Sequence, residues 1–124
     1  MVAYNFKQQF VPLIETGAKQ QTIRSPRKRH TKLGEAMQLY TGMRTKACRK
    51  LIIPDPLCIS VEPLLMHDDL GIKLNDHWLT REALTRLALA DGFADWDECW
   101  RFFSAVHGLP FEGVLIKWVV VGCH

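Results

Sequence analysis

The order of strand-like and helix-like segments restricts the fold of this chain more than any other feature of its sequence. Short segments with strand character follow one another between residues 19 and 78, whereas the two longest helical patterns are adjacent between residues 81 and 107. A parallel doubly wound sheet requires helices that alternate with strands. The order therefore predicts an α+β domain of five to six strands, in a curled sheet or small barrel, with two to three inserted helices.

The spacing of the apolar residues predicts the individual elements. Strand character is found in residues 19–24, 36–40, 47–53, 57–66, 72–78 and 114–121, and the last of these strands is predicted to be central. Three helices are predicted, the first from Gln8 or Gln9 to the residue before Gly17, the others over residues 81–90 and 96–107. Thr80 and Asp95 are their expected N-caps, and the polar, basic residues 25–32 are expected to form a loop.

The size and cysteine content of the chain indicate one domain inside the cell. The 124 residues include no repeat and no linker that would divide them, and a domain of this length folds without disulfides or a structural metal. The cysteines are widely spaced, at Cys48, Cys58, Cys99 and Cys123. The first ten residues lack the apolar core of a signal peptide, and no segment approaches the ~20 apolar residues of a membrane span. We therefore predict a cytoplasmic protein with reduced thiols and no membrane partner.

Charge is distributed unevenly along the chain. Residues 1–50 contain 11 Lys and Arg against Glu15 and Glu35, a net charge of +9, whereas residues 51–124 contain five against 11 acidic residues, a net charge of −6. Such asymmetry favours a surface that faces a polyanion. A solvated basic face with no ligand is the alternative interpretation.

Several kinds of chemistry are disfavoured by the motifs that the sequence lacks. It contains no GxGxxG, no GxxxxGK[ST], no HExxH and no GxSxG, and its His and Cys residues do not have the paired spacing of a zinc site. We therefore predict neither a cofactor nor a metal. The second of the paired helices carries Asp95, Asp97 and Glu98 against Arg101 alone, which would repel phosphates and disfavours a DNA-reading helix.

Residues 17–24 form the segment whose side chains are best suited to binding or catalysis. It brings a helix end, Lys19, Thr22 and Arg24 within eight residues, and the basic loop 27–29 follows. An arginine fork suits phosphate or the acceptor edge of a base, and a desolvated lysine can act as a general base. A threonine hydroxyl becomes a nucleophile beside such a base. A polar rim with solvated charges remains an alternative explanation.

Four motifs, taken in order, resemble one known family. They are Phe10-Val11-x-x-Ile14-x-x-Gly17-x-Lys19-x-x-Thr22-Ile23-Arg24, then Gly34-Glu35-x-Met37-x-Leu39-Tyr40-Thr41-Gly42-Met43-Arg44-Thr45, then Asp91-Gly92-Phe93, and finally Gly113-Val114-x-Ile116-x-Trp118. This set covers nearly the whole chain and resembles the ASCH family, which is related to PUA domains. The resemblance implies that residues 1–124 form one ASCH domain. It also implies a small PUA-like β-barrel and a cleft whose rim is the helix-to-strand segment around Lys19.

The resemblance also implies functions. Proteins of this family are thought to bind RNA, one branch resembles an amidohydrolase that acts on N-acylated cytidine, and others are associated with ribonuclease activity. Carried over by motif, Lys19 would be the base, Thr22 the nucleophile and Arg24 the residue that orients the substrate. Asp91 would be the acidic residue, at a position where the hydrolase branch has Glu, whose side chain is one methylene longer.

Three hypotheses follow for the function. The first is a module that binds RNA or a modified nucleoside in a basic cleft, through Arg24, Arg27, Lys28, Arg29, Tyr40 and Arg44. The second is a nucleoside amidohydrolase that uses Lys19, Thr22 and Asp91, and the third and weakest is a ribonuclease. Because alternate residues of a strand face opposite sides, joint action of Lys19 and Thr22 requires Lys19 to lie in the turn before the strand or at a bulge.

Overall fold

The structure is a computed structural model, and it describes residues 2–121. These residues form a mixed α+β fold with two sheets. The strands are β1 (Val2–Phe6), β2 (Gln21–Arg24), β3 (Met37–Thr41), β4 (Arg49–Lys50), β5 (Leu57–His67), β6 (Gly71–Leu74), β7 (His77–Trp78) and β8 (Phe111–Val119). The helices are α1 (Val11–Glu15), which follows a 3-10 turn at Gln8–Phe10, α2 (Arg81–Ala90) and α3 (Trp96–Val106).

The strands pair in two separate groups. The smaller sheet has the order β1-β3-β4, in which β1 and β3 are parallel, and the larger sheet has the order β2-β8-β5-β6-β7 with antiparallel neighbours throughout. An isolated bridge between Ala36 and Leu57 joins the two sheets. Within residues 2–121 the strand pairing does not close into one continuous barrel. The α+β prediction is confirmed, but the expected five to six strands become eight, because β1 was not recognised and the strand predicted at residues 72–78 is divided into two.

The strand β8 lies at the centre of the larger sheet, as its hydrophobic sequence predicts. It pairs with β2 on one side and with β5 on the other, and Leu115, Ile116 and Trp118 are buried. It begins at Phe111, three residues before the predicted start, because backbone pairing continues through Gly113 even though the apolar run does not. A side chain at Gly113 would place its Cβ 2.2 Å from the main-chain oxygen of Arg24. The absence of a side chain therefore allows β2 and β8 to approach closely.

The paired helices begin where their capping residues predict. The Thr80 hydroxyl accepts a hydrogen bond from the Ala83 N–H at 3.2 Å, and the Asp95 carboxylate accepts one from the Glu98 N–H at 2.8 Å. Each cap satisfies an amide that has no partner within its own helix. Both helices contribute to the core, and α3 buries Cys99 and Phe103.

The strand β1 was not predicted, and the reason lies in its partner. Val2, Tyr4 and Phe6 are buried and alternate with more exposed residues, as in a half-buried strand. The sequence interpretation instead placed Phe6 on the helical face of Phe10, because the two lie four residues apart. Parallel pairing of β1 with β3 decides the conformation, and such a distant partner leaves no local signal.

Two predicted strands are corrected by the structure. The strand expected at residues 47–53 is reduced to Arg49–Lys50, because the chain leaves the sheet before Pro54, which cannot donate to a ladder. The strand expected at residues 72–78 is divided into β6 and β7 by a tight turn in which Asn75 has a φ of +54°. This pair of strands is therefore a hairpin.

The cysteines and the membrane prediction can be compared with the structure only in part. Cys48, Cys58 and Cys99 are free thiols, while Cys123 and His124 lie outside the described residues. None of the helices between residues 2 and 121 is both long enough and apolar enough to cross a membrane.

Candidate functional site

A cleft with a volume of about 380 Å³ lies between the two halves of the sequence. One wall is formed by the end of β1, by Lys19 in the turn that precedes β2, by β2 itself and by the loop that follows it. The other wall is formed by α3 and by the segment that connects α2 to α3. A volume in this range is typical of sites for small organic ligands.

Lys19 enters the cleft from a turn and not from a strand. The predicted strand 19–24 starts at Gln21, and the Lys19 N–H instead donates to the Leu13 carbonyl at 2.9 Å, which folds the residue back on the end of α1. Because Lys19 lies outside β2, the alternation of side chains along that strand does not determine its direction. Lys19 lines the same cleft as Thr22, which is the arrangement that joint action of the two residues requires.

The Lys19 ammonium is nearly inaccessible to solvent, with 2% of the side chain exposed. Its Nζ lies 3.3 Å from Oδ1 of Asp91 and 4.8 Å from the centre of the Phe10 ring, and it also donates to the main-chain oxygen of Asp91. Burial lowers the pKa of Lys19 from its ordinary value, and the attraction of Asp91 opposes that change in pKa.

Asp91 is placed by the end of α2. It is the C-cap of that helix, and Gly92 follows with a φ of +99°, a conformation that side chains disfavour. A Cβ at Gly92 would also lie 3.0 Å from the Phe10 ring. This turn directs both Asp91 and Phe93 to the cleft. The Gln21 amide donates to Asp91 Oδ1 at 3.3 Å, and burial raises the pKa of Asp91.

Both pKa changes favour the neutral form of the pair, in which the lysine is uncharged and the aspartate is protonated. Burial disfavours the ammonium of Lys19 and the carboxylate of Asp91 alike, and each is then held in the charged form mainly by the other. A lysine acts as a general base only in its neutral form, and a lowered pKa increases the neutral fraction at a given pH. Such a pair in a cleft is a typical property of functional sites.

Arg24 orients the hydroxyl of Thr22. The two residues are separated by one position on β2 and share a face, and the Arg24 Nε donates to the Thr22 Oγ1 at 3.0 Å. A second donor of Arg24 contacts the main-chain oxygen of Asn5 at 2.7 Å, and the guanidinium lies 4.6 Å from the centre of the Phe6 ring. Burial lowers the pKa of Arg24 to about 10. Donation from a cation to the Thr22 oxygen stabilises negative charge there.

A hydrogen-bonded network anchors the loop after β2. The Arg27 guanidinium lies 4.4 Å from the centre of the Tyr4 ring, and the Tyr4 hydroxyl is 2.9 Å from Nδ1 of His30. His30 Nε2 lies 2.9 Å from the Ser25 carbonyl, which can only accept, so Nε2 donates and Nδ1 accepts from Tyr4. The Thr31 N–H donates to the Tyr4 oxygen at 3.0 Å. Burial lowers the pKa of His30 and raises the pKa of Tyr4.

The opposite wall of the cleft is aromatic. Phe10, Phe93, Phe102 and Phe103 contact one another with ring centres between 5.2 and 6.2 Å apart, mostly edge to face. Three of them come from residues 93–103. Phe103, which the helical spacing of Trp96, Trp100 and Phe103 predicts to be a core residue, is buried and also lines the cleft. An apolar aromatic wall opposite a polar wall suits a ligand with a planar base or an acyl group.

Four residues predicted to bind the ligand do not line this cleft: Lys28, Arg29, Tyr40 and Arg44. Arg29 pairs with Glu35 at 2.5 Å, with half of its side chain exposed. Tyr40 lies on β3 opposite Lys50, and Arg44 is in the turn after β3. The remaining predicted residues do come together there: Lys19, Thr22, Arg24, Arg27 and Asp91.

Other residues of the cleft had not been selected from the sequence. They include Asn5, Phe6 and Lys7, which belong to or follow the unrecognised strand β1. The alternation of apolar residues between Val2 and Phe6 is the signal that would have identified them. Nothing in the sequence distinguishes Lys7 from the other exposed lysines.

A group of residues with metal-binding side chains lies elsewhere. In the described residues, His67, Asp68 and Asp69 bring their ligand atoms within 4.8 Å of one another in the turn between β5 and β6. Their carboxylates are exposed, and the turn is not part of the cleft.

The cleft thus combines a desolvated lysine and acid, a threonine hydroxyl that accepts from an arginine, and an aromatic wall. These groups can bind a planar ligand, remove a proton and stabilise a developing oxyanion. No family model, no curated protein sequence and no solved structure matches the chain.

Proposed function

We propose that this protein is an amidohydrolase that removes the acyl group from the exocyclic amine of a cytidine-type nucleoside. The observation that carries the proposal is the buried pair of Lys19 and Asp91, 3.3 Å apart, in one cleft with Thr22. A module that only bound its ligand would gain nothing from a lysine whose pKa is lowered by burial. A base needs that property. The resemblance to the hydrolase branch of the ASCH family points the same way.

We further propose that the chain is a cytoplasmic ASCH domain whose two sheets correspond to the walls of a PUA-like barrel. The bridge between Ala36 and Leu57, which joins the sheets, supports this interpretation. So does the position of the cleft at the helix-to-strand segment that contains Lys19, where the family resemblance predicts it.

The first half of the reaction forms an acyl-enzyme. Neutral Lys19 accepts the proton of the Thr22 hydroxyl, and the Thr22 oxygen attacks the acyl carbon. The tetrahedral oxyanion develops beside the positive charge of Arg24, which already donates to Thr22. The carbon–nitrogen bond then breaks as Lys19 returns the proton to the leaving amine, which releases the nucleoside and leaves an acyl-threonine ester.

The second half regenerates the enzyme. A water molecule loses a proton to Lys19 and attacks the ester, and Lys19 passes that proton to the Thr22 oxygen as the ester bond breaks. The products are a carboxylic acid and the free hydroxyl. Asp91 holds Lys19 in position through its carboxylate and its main-chain oxygen. With two of three ammonium donors taken by Asp91, one remains for the reacting atoms.

The test is turnover of N-acetylcytidine followed by chromatography. We expect cytidine release by the wild type and none by Lys19→Ala or by Thr22→Val, which keeps the shape of the side chain and removes the nucleophile. Lys32→Ala is the matched control, because Lys32 is exposed and does not line the cleft. Circular dichroism establishes that each variant is folded. Activity retained by folded Lys19→Ala, or no release by the wild type, would show that the proposal is wrong.

Binding of RNA is a second candidate, and the exposed cations of the N-terminal half favour it. Lys28, Arg44 and Lys46 are exposed or partly exposed, and no carboxylate of residues 2–121 lies within 4.0 Å of them. If they neutralise phosphates together, affinity for single-stranded RNA falls steeply between 50 and 200 mM salt, by about tenfold or more. Affinity that hardly changes with salt would exclude this role.

Ribonuclease action, in which Lys19, Thr22 or Arg44 would stabilise the pentavalent charge, has less support. Arg44 does not line the cleft that contains Lys19 and Thr22.

A further inference from the structure

The charges that line the cleft do not balance. Four cationic side chains, Lys7, Lys19, Arg24 and Arg27, line it together with one carboxylate, that of Asp91. Asp91 is already paired with Lys19. Three cations in a space of about 380 Å³ are therefore left without a carboxylate of the protein within the cleft lining.

Arg24 shows the imbalance most clearly. Its hydrogen bonds go to neutral oxygens, the Thr22 hydroxyl and the Asn5 carbonyl, and its guanidinium lies over the rings of Tyr4 and Phe6. These contacts use two of its five N–H groups. A cation taken out of water without a counter-ion costs free energy, and an anionic ligand would offset that cost.

Arg27 and Lys7 line the same cleft as Arg24. Arg27 donates only to the main-chain oxygens of Ala3 and Arg29, among the described residues. The Lys7 Nζ lies 5.5 Å from the centre of the Phe102 ring, and its side chain is exposed. Within residues 2–121 neither cation has a carboxylate within 4.0 Å. The charges of Lys7 and Arg24 act on one residue of this cleft, His107, whose pKa is lowered first by burial and then by these two cations.

We infer that the substrate carries a phosphate: the cleft accepts an acylated nucleoside monophosphate, with the phosphate against Arg27 and Lys7 and the acylated amine at Lys19, Thr22 and Arg24. A phosphate monoester carries a charge of about −1.5 to −2 near pH 7. That charge matches the two unpaired cations Arg27 and Lys7 better than a neutral group or a single carboxylate does. Arginine forks bind phosphate oxygens in pairs, and lysine adds a point charge. The inference rests on the proposed function for the acylated amine, but the phosphate site can be tested without turnover.

The experiment compares binding of cytidine 5′-monophosphate and of cytidine by calorimetry. Neither probe is hydrolysed, so binding is measured apart from catalysis. We expect the monophosphate to bind at least about tenfold more tightly at low salt, as one charge-assisted contact contributes. Lys7→Gln should reduce that preference about fivefold, which is the effect of one exposed ion pair. Lys32→Gln removes the same charge from the same half of the chain outside the cleft, and it should keep the wild-type preference.

Each outcome separates this inference from the proposed function. Equal binding of the two probes, or an equal loss of preference in Lys7→Gln and Lys32→Gln, overturns the phosphate site even if N-acetylcytidine is hydrolysed. A preference for the monophosphate that Lys7→Gln alone weakens supports the site, even if no amide is hydrolysed. A short oligocytidylate that binds more than about tenfold tighter than the monophosphate would assign the cations to an RNA strand and overturn the inference.

Discussion

Two ion pairs, each with its cation in the basic half of the chain, differ in a way that their distances do not reveal. In the loop after β2, Arg29 and Glu35 are 2.5 Å apart, with 52% and 21% of their side chains exposed. In the cleft, Lys19 and Asp91 are 3.3 Å apart, with 2% and 5% exposed. Water screens the shorter pair, whereas the longer pair has lost its water and depends on its partner.

The comparison shows that burial, more than separation, decides what an ion pair does in this protein. The exposed pair holds the chain between Arg29 and Glu35, and Glu35 also accepts from the Lys32 N–H at 3.0 Å. In the buried pair, burial lowers the pKa of Lys19 and raises the pKa of Asp91, and the lowered pKa of Lys19 is what the proposed base requires. Arg29 and Lys19 contribute equally to the net charge of the sequence, although one is exposed and the other is buried.

The largest effect on stability is expected from Asp91→Ala, which tests whether the buried pair differs from the exposed pair. It leaves Lys19 buried without its partner, and we expect the free energy of unfolding to fall by about 3–5 kcal/mol. Urea denaturation measures the change. The double variant Lys19→Met/Asp91→Ala removes both charges and should recover part of the loss. A loss below about 1 kcal/mol for Asp91→Ala would show that water reaches Lys19.

The pH dependence of hydrolysis tests whether the pKa of Lys19 in the buried pair is lowered. Because Lys19 acts as a base in its neutral form, kcat/KM should rise with pH, and the rising limb should lie below lysine's ordinary pKa of 10.5 because burial lowers the pKa of Lys19. Asp91→Asn removes the negative charge that stabilises the ammonium, so the pKa of Lys19 falls further and the limb moves to lower pH.

Asp95→Asn is the matched control for that profile. Asp95 is exposed at the start of α3, and asparagine retains its capping ability. Its rising limb should coincide with that of the wild type. If Asp91→Asn leaves the limb unchanged, or moves it to higher pH, Lys19 is not the group that titrates.

An intermediate effect is expected from Tyr4→Phe, which tests the connection between the loop and the cleft. Loss of the hydroxyl leaves the Thr31 N–H and the Nδ1 of His30 without their partner. We expect the free energy of unfolding to fall by about 1–3 kcal/mol. Tyr40→Phe changes the other tyrosine of the chain, whose ring lies on β3 outside the cleft. Equal losses in the two variants would contradict the network.

The smallest effect is expected from Arg29→Ala. It breaks the exposed pair with Glu35, and water replaces the contact at both groups. The midpoint of urea unfolding and the rate of N-acetylcytidine hydrolysis should both match those of the wild type within experimental error. A clear loss of stability would mean that exposure does not separate the two pairs as described.

Local signals in the sequence were sufficient for several elements. Thr80 and Asp95 identified the starts of α2 and α3, because an N-cap acts on amides within its own turn. The strand β1 depends on β3, and its identity was hidden because Phe6 and Phe10 also fit a helical spacing. Contacts between distant segments decide such cases, and propensity does not encode them.

The same division applies to the site. The spacing from Gly17 to Arg24 identified Lys19, Thr22 and Arg24 as candidates, and all three line the cleft. The sequence did not encode their burial, which requires α2 to bring Asp91 against Lys19. Tyr40 was chosen as an aromatic ring on which a base could stack and Arg44 as a cation, but residue type does not give the direction of a side chain.

The division of the cleft between two parts of the chain has an evolutionary consequence. The proposed reacting groups Lys19, Thr22 and Arg24 come from the N-terminal segment, whereas Phe102 and Phe103 of the facing wall come from α3. Under the proposed function, mutations on α3 change the shape of the cleft that meets the base or acyl group without replacing a proposed reacting group. Descendants of this protein would then diverge in substrate range through one helix and inherit the same reaction.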